Sequence, residues 1–245
     1  MVDRTAPAAV RPKPSEAQRL GAEFVGTFFL TLVAAGADVV DFTSRGEIGH
    51  VARYLAPGCL VAAMIWTLSA ISGAHINPAV TFAFVLRRSF PAGRAVGYWI
   101  VQFAGAIAAA YTLKAFFGDA VAQGATRPGQ GVSALAAGSW EALLTALLLL
   151  VILGTAEEEA VVGKNAALAV GLTVAACGLF SSPVTGASMN PARSFGPQLV
   201  SGHLDFAWLY FVGPLVGSAL ASGVVLFVHG PPRVSEREAA HGKHR

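Results

Sequence analysis

Ser72-Gly73-Ala74-His75-Ile76-Asn77-Pro78-Ala79-Val80-Thr81 has a counterpart later in the chain, Thr185-Gly186-Ala187-Ser188-Met189-Asn190-Pro191-Ala192-Arg193-Ser194. Each Asn-Pro-Ala follows an apolar stretch and opens a short apolar run, 77–88 and 190–201. Asn is a favoured helix cap and Pro fits the first helical turn, so each tripeptide predicts a helix start. Neither run is long enough to cross a bilayer. Two such half-helices in a lipid-soluble chain would aim their N-termini at a common place, the layout of a membrane pore.

The rest of the chain supports that setting. Hydrophobic residues make up 54% and charged residues 13%, about half the charge usual in soluble domains, and the mean hydropathy is +0.59. Apolar stretches run over roughly 20–40, 52–71, 94–117, 136–156, 165–182 and 206–228, each near the ~20 residues a spanning helix needs. The fold class expected is therefore all-α: six transmembrane helices plus two re-entrant half-helices. The first apolar run is too long for a cleaved signal. Twenty-seven glycines suit closely packed spans.

The N-terminal basic stretch (Arg4, Arg11, Lys13, Arg19), the loop with Arg87, Arg88 and Arg94, and the C-terminal residues Arg233, Arg237, Lys243 and Arg245 would share one side. The positive-inside rule makes that side cytoplasmic, with both termini there, in the inner or plasma membrane of the cell. The acidic Glu157-Glu158-Glu159 loop counts little in that rule. Segments 1–16 and 230–245, charged and rich in Pro or Ala, are expected to be disordered cytoplasmic tails. They flank a channel domain over 17–229, with repeat one at 17–117 and repeat two at 135–229. The basic excess carries no implication of nucleic-acid binding. Cys59 and Cys177 lie inside spans and say nothing about compartment.

The halves repeat beyond the tripeptides. Glu23 and Thr27 open the first span, and Glu141 and Thr145 open the fourth with the same spacing. From Glu23 to Asn77 is 54 positions (77 minus 23), and from Glu141 to Asn190 is 49 (190 minus 141). The unit is three spans and one half-helix, used twice. Three is odd, so the second unit enters from the opposite face, and an inverted repeat of this kind places its site near the midplane. Each half-helix N-terminus carries roughly half a positive charge. Two of them at one point oppose cations, while a neutral hydroxyl can accept hydrogen bonds from the Asn amides.

These motifs identify the sequence as resembling the major intrinsic protein family, the aquaporins and aquaglyceroporins. The resemblance covers about residues 17–229. Gly73–Thr81, Phe90-Pro91 and Trp208–Pro214 are most similar to its nodulin-26-like branch. It implies a homotetramer with one pore per subunit, no cofactor and no enzymatic activity. It also implies a four-residue filter: Pro57, twenty positions before Asn77; Gly178, twelve before Asn190; Ala187; and Arg193. Water-selective relatives place an aromatic and a histidine where this chain has Pro57 and Gly178, so a wider constriction is expected. Pro57 could start its helix or, as an interior proline, free the Arg53 carbonyl toward the pore. Glycerol facilitators carry Asp after Asn-Pro-Ala-Arg, and here that residue is Ser194.

Carboxylates within a span are functional candidates by default. Glu23 and Glu141 read as a proton relay or as braces for the re-entrant loops, and the resemblance points to braces. His75 reads as loop bracing or pore lining. No Ser/His/Asp set, zinc spacing or phosphate loop occurs, so no catalytic residue, metal or cofactor is expected. The function expected is a passive channel in the lipid bilayer for water and small uncharged solutes: glycerol, urea, and undissociated boric, silicic or arsenous acid. It would exclude ions and protons. The alternatives are a water-selective channel and, from another class, a proton-coupled transporter using Glu23 and Glu141.

Overall fold

The structure, a computed structural model, describes residues 13–157 and 165–242. Most of the expected N-terminal tail lies outside them, as do Glu158, Glu159 and Lys164 of the acidic loop and residues 243–245. Among the described residues the chain forms nine α-helices: α1 Glu16–Thr43, α2 Gly49–Ser72, α3 Pro78–Leu86, α4 Ala92–Phe117, α5 Ala134–Glu157, α6 Ala166–Thr185, α7 Pro191–Ser201, α8 Ala207–His229 and α9 Val234–His241. A 3-10 segment, Gly118–Gly124, follows α4. Six of the helices are long and apolar enough to cross a membrane, and α3 and α7 are the two half-helices.

Local chemistry explains the helix starts. Ser15 and Gln18 form a reciprocal capping box at α1, with Gln18 N to Ser15 Oγ at 3.2 Å and Ser15 N to Gln18 Oε1 at 2.7 Å. At α3 and α7 the cap is the Asn of the tripeptide, followed by Pro at the first helical position.

Packing follows the repeat. The spans α1 and α4 pair in the first half as α5 and α8 pair in the second, and α2 against α6 joins the halves. Each half-helix packs on the last span of the other half, α3 on α8 and α7 on α4. The α2–α6 crossing needs glycine. A Cβ on Gly58 would sit 2.5 Å from the Gly171 carbonyl oxygen, and a Cβ on Gly171 would sit 2.5 Å from that of Gly58. Without a solvent-driven force between spans in lipid, such close approach is what holds helices together.

The C-terminal stretch departs from the expected disorder. Residues 234–241 form α9, which packs against α2 and α5. Average composition hides the reason. Glu236 and Ala240 are four apart, on one helical face, and both are fully buried. Glu236 pairs with Arg87, Nη2 to Oε2 at 2.6 Å, and their side chains are 0% and 2% exposed. Ser89 donates its hydroxyl to Glu236, and Arg87 Nη1 donates to the Gly230 carbonyl at 3.0 Å. Arg19 donates to the His241 carbonyl. Removing one member of a buried pair typically costs about 3–5 kcal/mol, whereas replacing both by apolar residues costs far less. Glu236→Ala is therefore expected to lower the thermal midpoint of the solubilised protein markedly, and Arg87→Met with Glu236→Leu to recover most of it.

Candidate pore and its constriction

Two loops, each followed by an Asn-capped half-helix, meet inside the bundle. Asn77 Oδ1 accepts from Ala79 N at 2.9 Å, and Asn190 Oδ1 accepts from Ala192 N at 3.0 Å and Arg193 N at 3.2 Å. The amide nitrogens cross to the opposite loop: Asn77 Nδ2 donates to the Met189 carbonyl at 2.8 Å and Asn190 Nδ2 to the Ile76 carbonyl at 3.0 Å. With each Asn oxygen committed to its own helix, what the two amides have left for a passing molecule is one N–H apiece. Pro78, Ala79, Pro191 and Ala192 are buried in the first turns and set the helix directions.

The loops are strained. Ala74 and Ile76 have φ of 50° and 43°, and Ala187 and Met189 have 48° and 53°. Left-handed backbone disfavours residues with side chains, most of all a β-branched one such as Ile76. Two carboxylates hold it. Glu23 Oε1 accepts from Ser72 Oγ at 2.7 Å and His75 N at 2.9 Å, while Oε2 accepts from Ile76 N at 2.6 Å and Gln102 Nε2 at 2.8 Å. Glu141 accepts from Thr185 Oγ1 at 2.7 Å, Ser188 N at 2.9 Å and Met189 N at 2.7 Å. Both carboxylates are fully buried behind the loops, away from the cavity.

His75 belongs to this frame and also borders the cavity. Its ring lies among Phe84, Phe90 and Tyr98, with centroids 4.9, 4.8 and 5.2 Å away. Nε2 lies 3.1 Å from the Ala240 carbonyl, which can only accept, so the proton is assigned to Nε2; Nδ1 faces Thr81 Oγ1 at 3.1 Å. His75 thus links the first loop to α9.

A cavity of about 850 Å³ runs past the two Asn residues. Leu30, Val61, Leu148 and Val170 give it apolar walls. At one mouth stand Tyr54, Pro57, Gly178, Ala187 and Arg193; at the other, Ser69, Ala166 and the α9 residues Ser235, Glu238 and Ala239. All four residues counted from the tripeptides therefore reach one cavity together with Asn77 and Asn190. Arg193 is 5% exposed, with Nη1 donating to the Gly124 carbonyl at 3.3 Å and Nη2 to the Ala34 carbonyl at 3.1 Å.

Pro57 is interior to α2, beyond its first two turns, so it does not start that helix. Gly178 differs from the simple expectation of open space. A Cβ there would lie 2.9 Å from Tyr54 Cβ and 3.0 Å from Tyr54 Cδ1. The space freed at Gly178 is occupied by the base of an aromatic side chain one helical turn before Pro57. Tyr54 is missed by counting from the tripeptide because it sits three positions from the counted one.

Two further residues were visible only through the repeat. Tyr98 donates its hydroxyl to the Ser72 carbonyl at 2.8 Å, and Tyr210 to the Thr185 carbonyl at 2.6 Å. They stand 21 and 20 positions after Asn77 and Asn190 (98 minus 77, 210 minus 190), so aligning the halves past the tripeptides would find both.

The chain is similar to known proteins in sequence and fold. The family model for the major intrinsic protein matches residues 11–225. The chain is 36% identical over 216 residues to "Aquaporin NIP2-1" of Oryza sativa subsp. japonica, covering 88% of this chain and 72% of that protein. It is 38% identical over 222 residues to "Aquaporin NIP1-3" of the same organism, covering 89% and 77%. Against "Aquaporin NIP1-1" of Zea mays it is 38% identical over 221 residues, covering 88% and 77%. Among solved structures, the X-ray structure of the aquaglyceroporin from Plasmodium falciparum superposes with a TM-score of 0.77 at 24% identity, covering 89% of this chain and 98% of that one, a likeness of fold.

Proposed function

We propose, from the premise that this chain belongs to the major intrinsic protein family and is similar to its nodulin-26-like members, that it is a passive pore for small uncharged solutes. The chain is a multi-pass membrane channel and not an enzyme. The solute range is the finer reading: glycerol, urea and undissociated metalloid acids such as boric, silicic or arsenous acid, with water. The observation that carries it is a cavity of about 850 Å³ bordered by Arg193 and by Asn77 and Asn190, with apolar wall from Leu30, Val61, Leu148 and Val170 beside them. A small polyol or acid meets both donors and apolar wall there. The N-termini of α3 and α7, together with Arg193, oppose cations and protons.

The same reading puts the α9 mouth in the cytoplasm of the cell, since Arg19, Arg87, Arg88 and Arg94 gather near that end. It also makes the working unit a homotetramer in the plasma or inner membrane. Large apolar side chains face outward, Phe116 79% and Phe227 91% exposed, as suits lipid or a neighbouring copy. Neither Glu23 nor Glu141 reaches the cavity, and every oxygen of both accepts a fixed donor, an arrangement that suits braces better than relays. One observation favours a water-selective pore: Tyr54 fills the space at Gly178.

Stopped-flow light scattering on proteoliposomes decides between these. Under isosmotic inward gradients of glycerol, urea and boric acid, fast re-swelling is expected with at least one solute. Rapid osmotic shrinkage in sucrose without solute entry would establish the water-selective reading instead.

A further inference from the structure

Three positive elements face this pore: the N-termini of α3 and α7, and Arg193. Two have a carboxylate behind them, Glu23 at the first loop and Glu141 at the second. Arg193 has one as well, which neither the repeat nor the filter count reveals. Asp38 Oδ2 lies 3.7 Å from Arg193 Nη2, with the two side chains 18% and 6% exposed. It stands one helical turn after Ala34 on α1, whose carbonyl accepts from the same nitrogen at 3.1 Å. One face of α1 thus supplies both the neutral and the charged acceptor.

Its neighbour has other duties. Asp41 Oδ2 accepts from Arg53 Nη1 at 3.0 Å and its Oδ1 accepts from Gly49 N at 2.8 Å. Arg53 Nη1 is 3.7 Å from Asp38 Oδ1, so its shorter contact is with Asp41. Asp38 stands between the two guanidiniums, 3.7 Å from each, and with Arg53 matched more closely by Asp41 its charge is available to Arg193.

We propose that Asp38 is the positioning residue of the filter guanidinium and sets the pore's charge selectivity by balancing it. The inference rests on the pore reading above. A lone guanidinium beside two helix N-termini would make the mouth a trap for small anions, because a partly buried charge acts at low effective dielectric. With Asp38 beside it, Arg193 offers donors to a neutral solute while the mouth carries little net charge. The Ala34 and Gly124 carbonyls hold the guanidinium by hydrogen bonds, and Asp38 adds the charge that favours that placement.

The test uses full-length protein in vesicles given an inward potassium nitrate gradient with valinomycin, so that swelling requires nitrate entry. Asp38→Asn keeps the side-chain shape and removes the charge. It is expected to raise nitrate-driven swelling about tenfold over wild type, equivalent to about 1.4 kcal/mol, with Asp38→Glu and Asp41→Asn remaining tight. A nitrate-tight Asp38→Asn in vesicles that still pass boric acid or water overturns the inference, and so does an equal leak through Asp41→Asn. If Asp38→Asn does not reconstitute alone, Arg193→Gln is compared with the Arg193→Gln, Asp38→Asn double variant. The single variant leaves Asp38 uncompensated and is expected to leak potassium when an anion carrier replaces valinomycin, and the double variant to leak about tenfold less; equal leaks overturn the inference. Wild-type vesicles that pass neither water nor boric acid overturn the pore reading itself, a result distinct from either.

Discussion

Glu23→Ala is expected to lower the thermal midpoint of the solubilised protein by roughly 10 °C, the largest effect of any single substitution at the loops. Four donors converge on that carboxylate: Ser72 Oγ, His75 N, Ile76 N and Gln102 Nε2. An orphaned buried donor costs about 1–3 kcal/mol. Four in one cluster relax together, so a loss of about 4 kcal/mol is reasonable, and at this chain length each kcal/mol moves the midpoint by about 2–4 °C. The left-handed backbone at Ala74 and Ile76 also loses its restraint. Glu141→Ala should follow in the same direction by less, since Glu141 binds Thr185, Ser188 and Met189 without a counterpart of Gln102. Fluorescence-detected size exclusion after heating reads both. A Glu23→Ala midpoint within about 2 °C of wild type would mean the loops are held by packing instead.

Gly178→His should all but close the Arg193 mouth to solute. No rotamer relieves the conflict, because the clash begins at Cβ, 2.9 Å from Tyr54 Cβ. Either Tyr54 moves into the cavity or α2 and α6 separate. Overpacking of this kind usually costs about 1–3 kcal/mol of stability. Boric acid and glycerol permeability should fall about tenfold or more, which needs only about 1.4 kcal/mol added to the barrier. Tyr54→Ala alone should act oppositely, raising glycerol flux relative to water. Combined with Gly178→His it should restore stability and part of the flux. Wild-type solute flux through a well-folded Gly178→His protein would remove position 178 from the constriction.

Much of this architecture is legible in the sequence because its signals are local. A spanning helix is a run of apolar residues, and the half-helices announce themselves by Asn and Pro at fixed places. All four positions counted from the tripeptides border the cavity, since helical rise makes a count along the chain a distance along the pore. What escaped the sequence depends on packing across the chain. Tyr54 matters because α2 brings it over Gly178 of α6. Asp38 matters because α1 passes Arg193 of α7, far away in sequence. Helix α9 was hidden by averaging: residues 230–245 are charged overall, but Glu236 finds a buried Arg87 and Ala240 receives His75. Composition describes a segment's mean surroundings, and a short docked helix is decided by one face.

The crossed amides have a consequence for biosynthesis. Asn77 needs the Met189 carbonyl, and Ile76 offers its carbonyl to Asn190. While the first half is being inserted, neither partner has yet left the ribosome. The Asn77 amide and the Ile76 carbonyl must then rely on water or a chaperoning surface at a depth where both are scarce. The early half is therefore a provisional structure: Glu23, Gln102 and α4 already support the first loop and α3, but the Asn77 amide lacks its partner until Met189 arrives. Insertion of the first three spans and assembly of the pore are separate events, and translation pauses placed between them would give the incomplete half time to be captured by quality control.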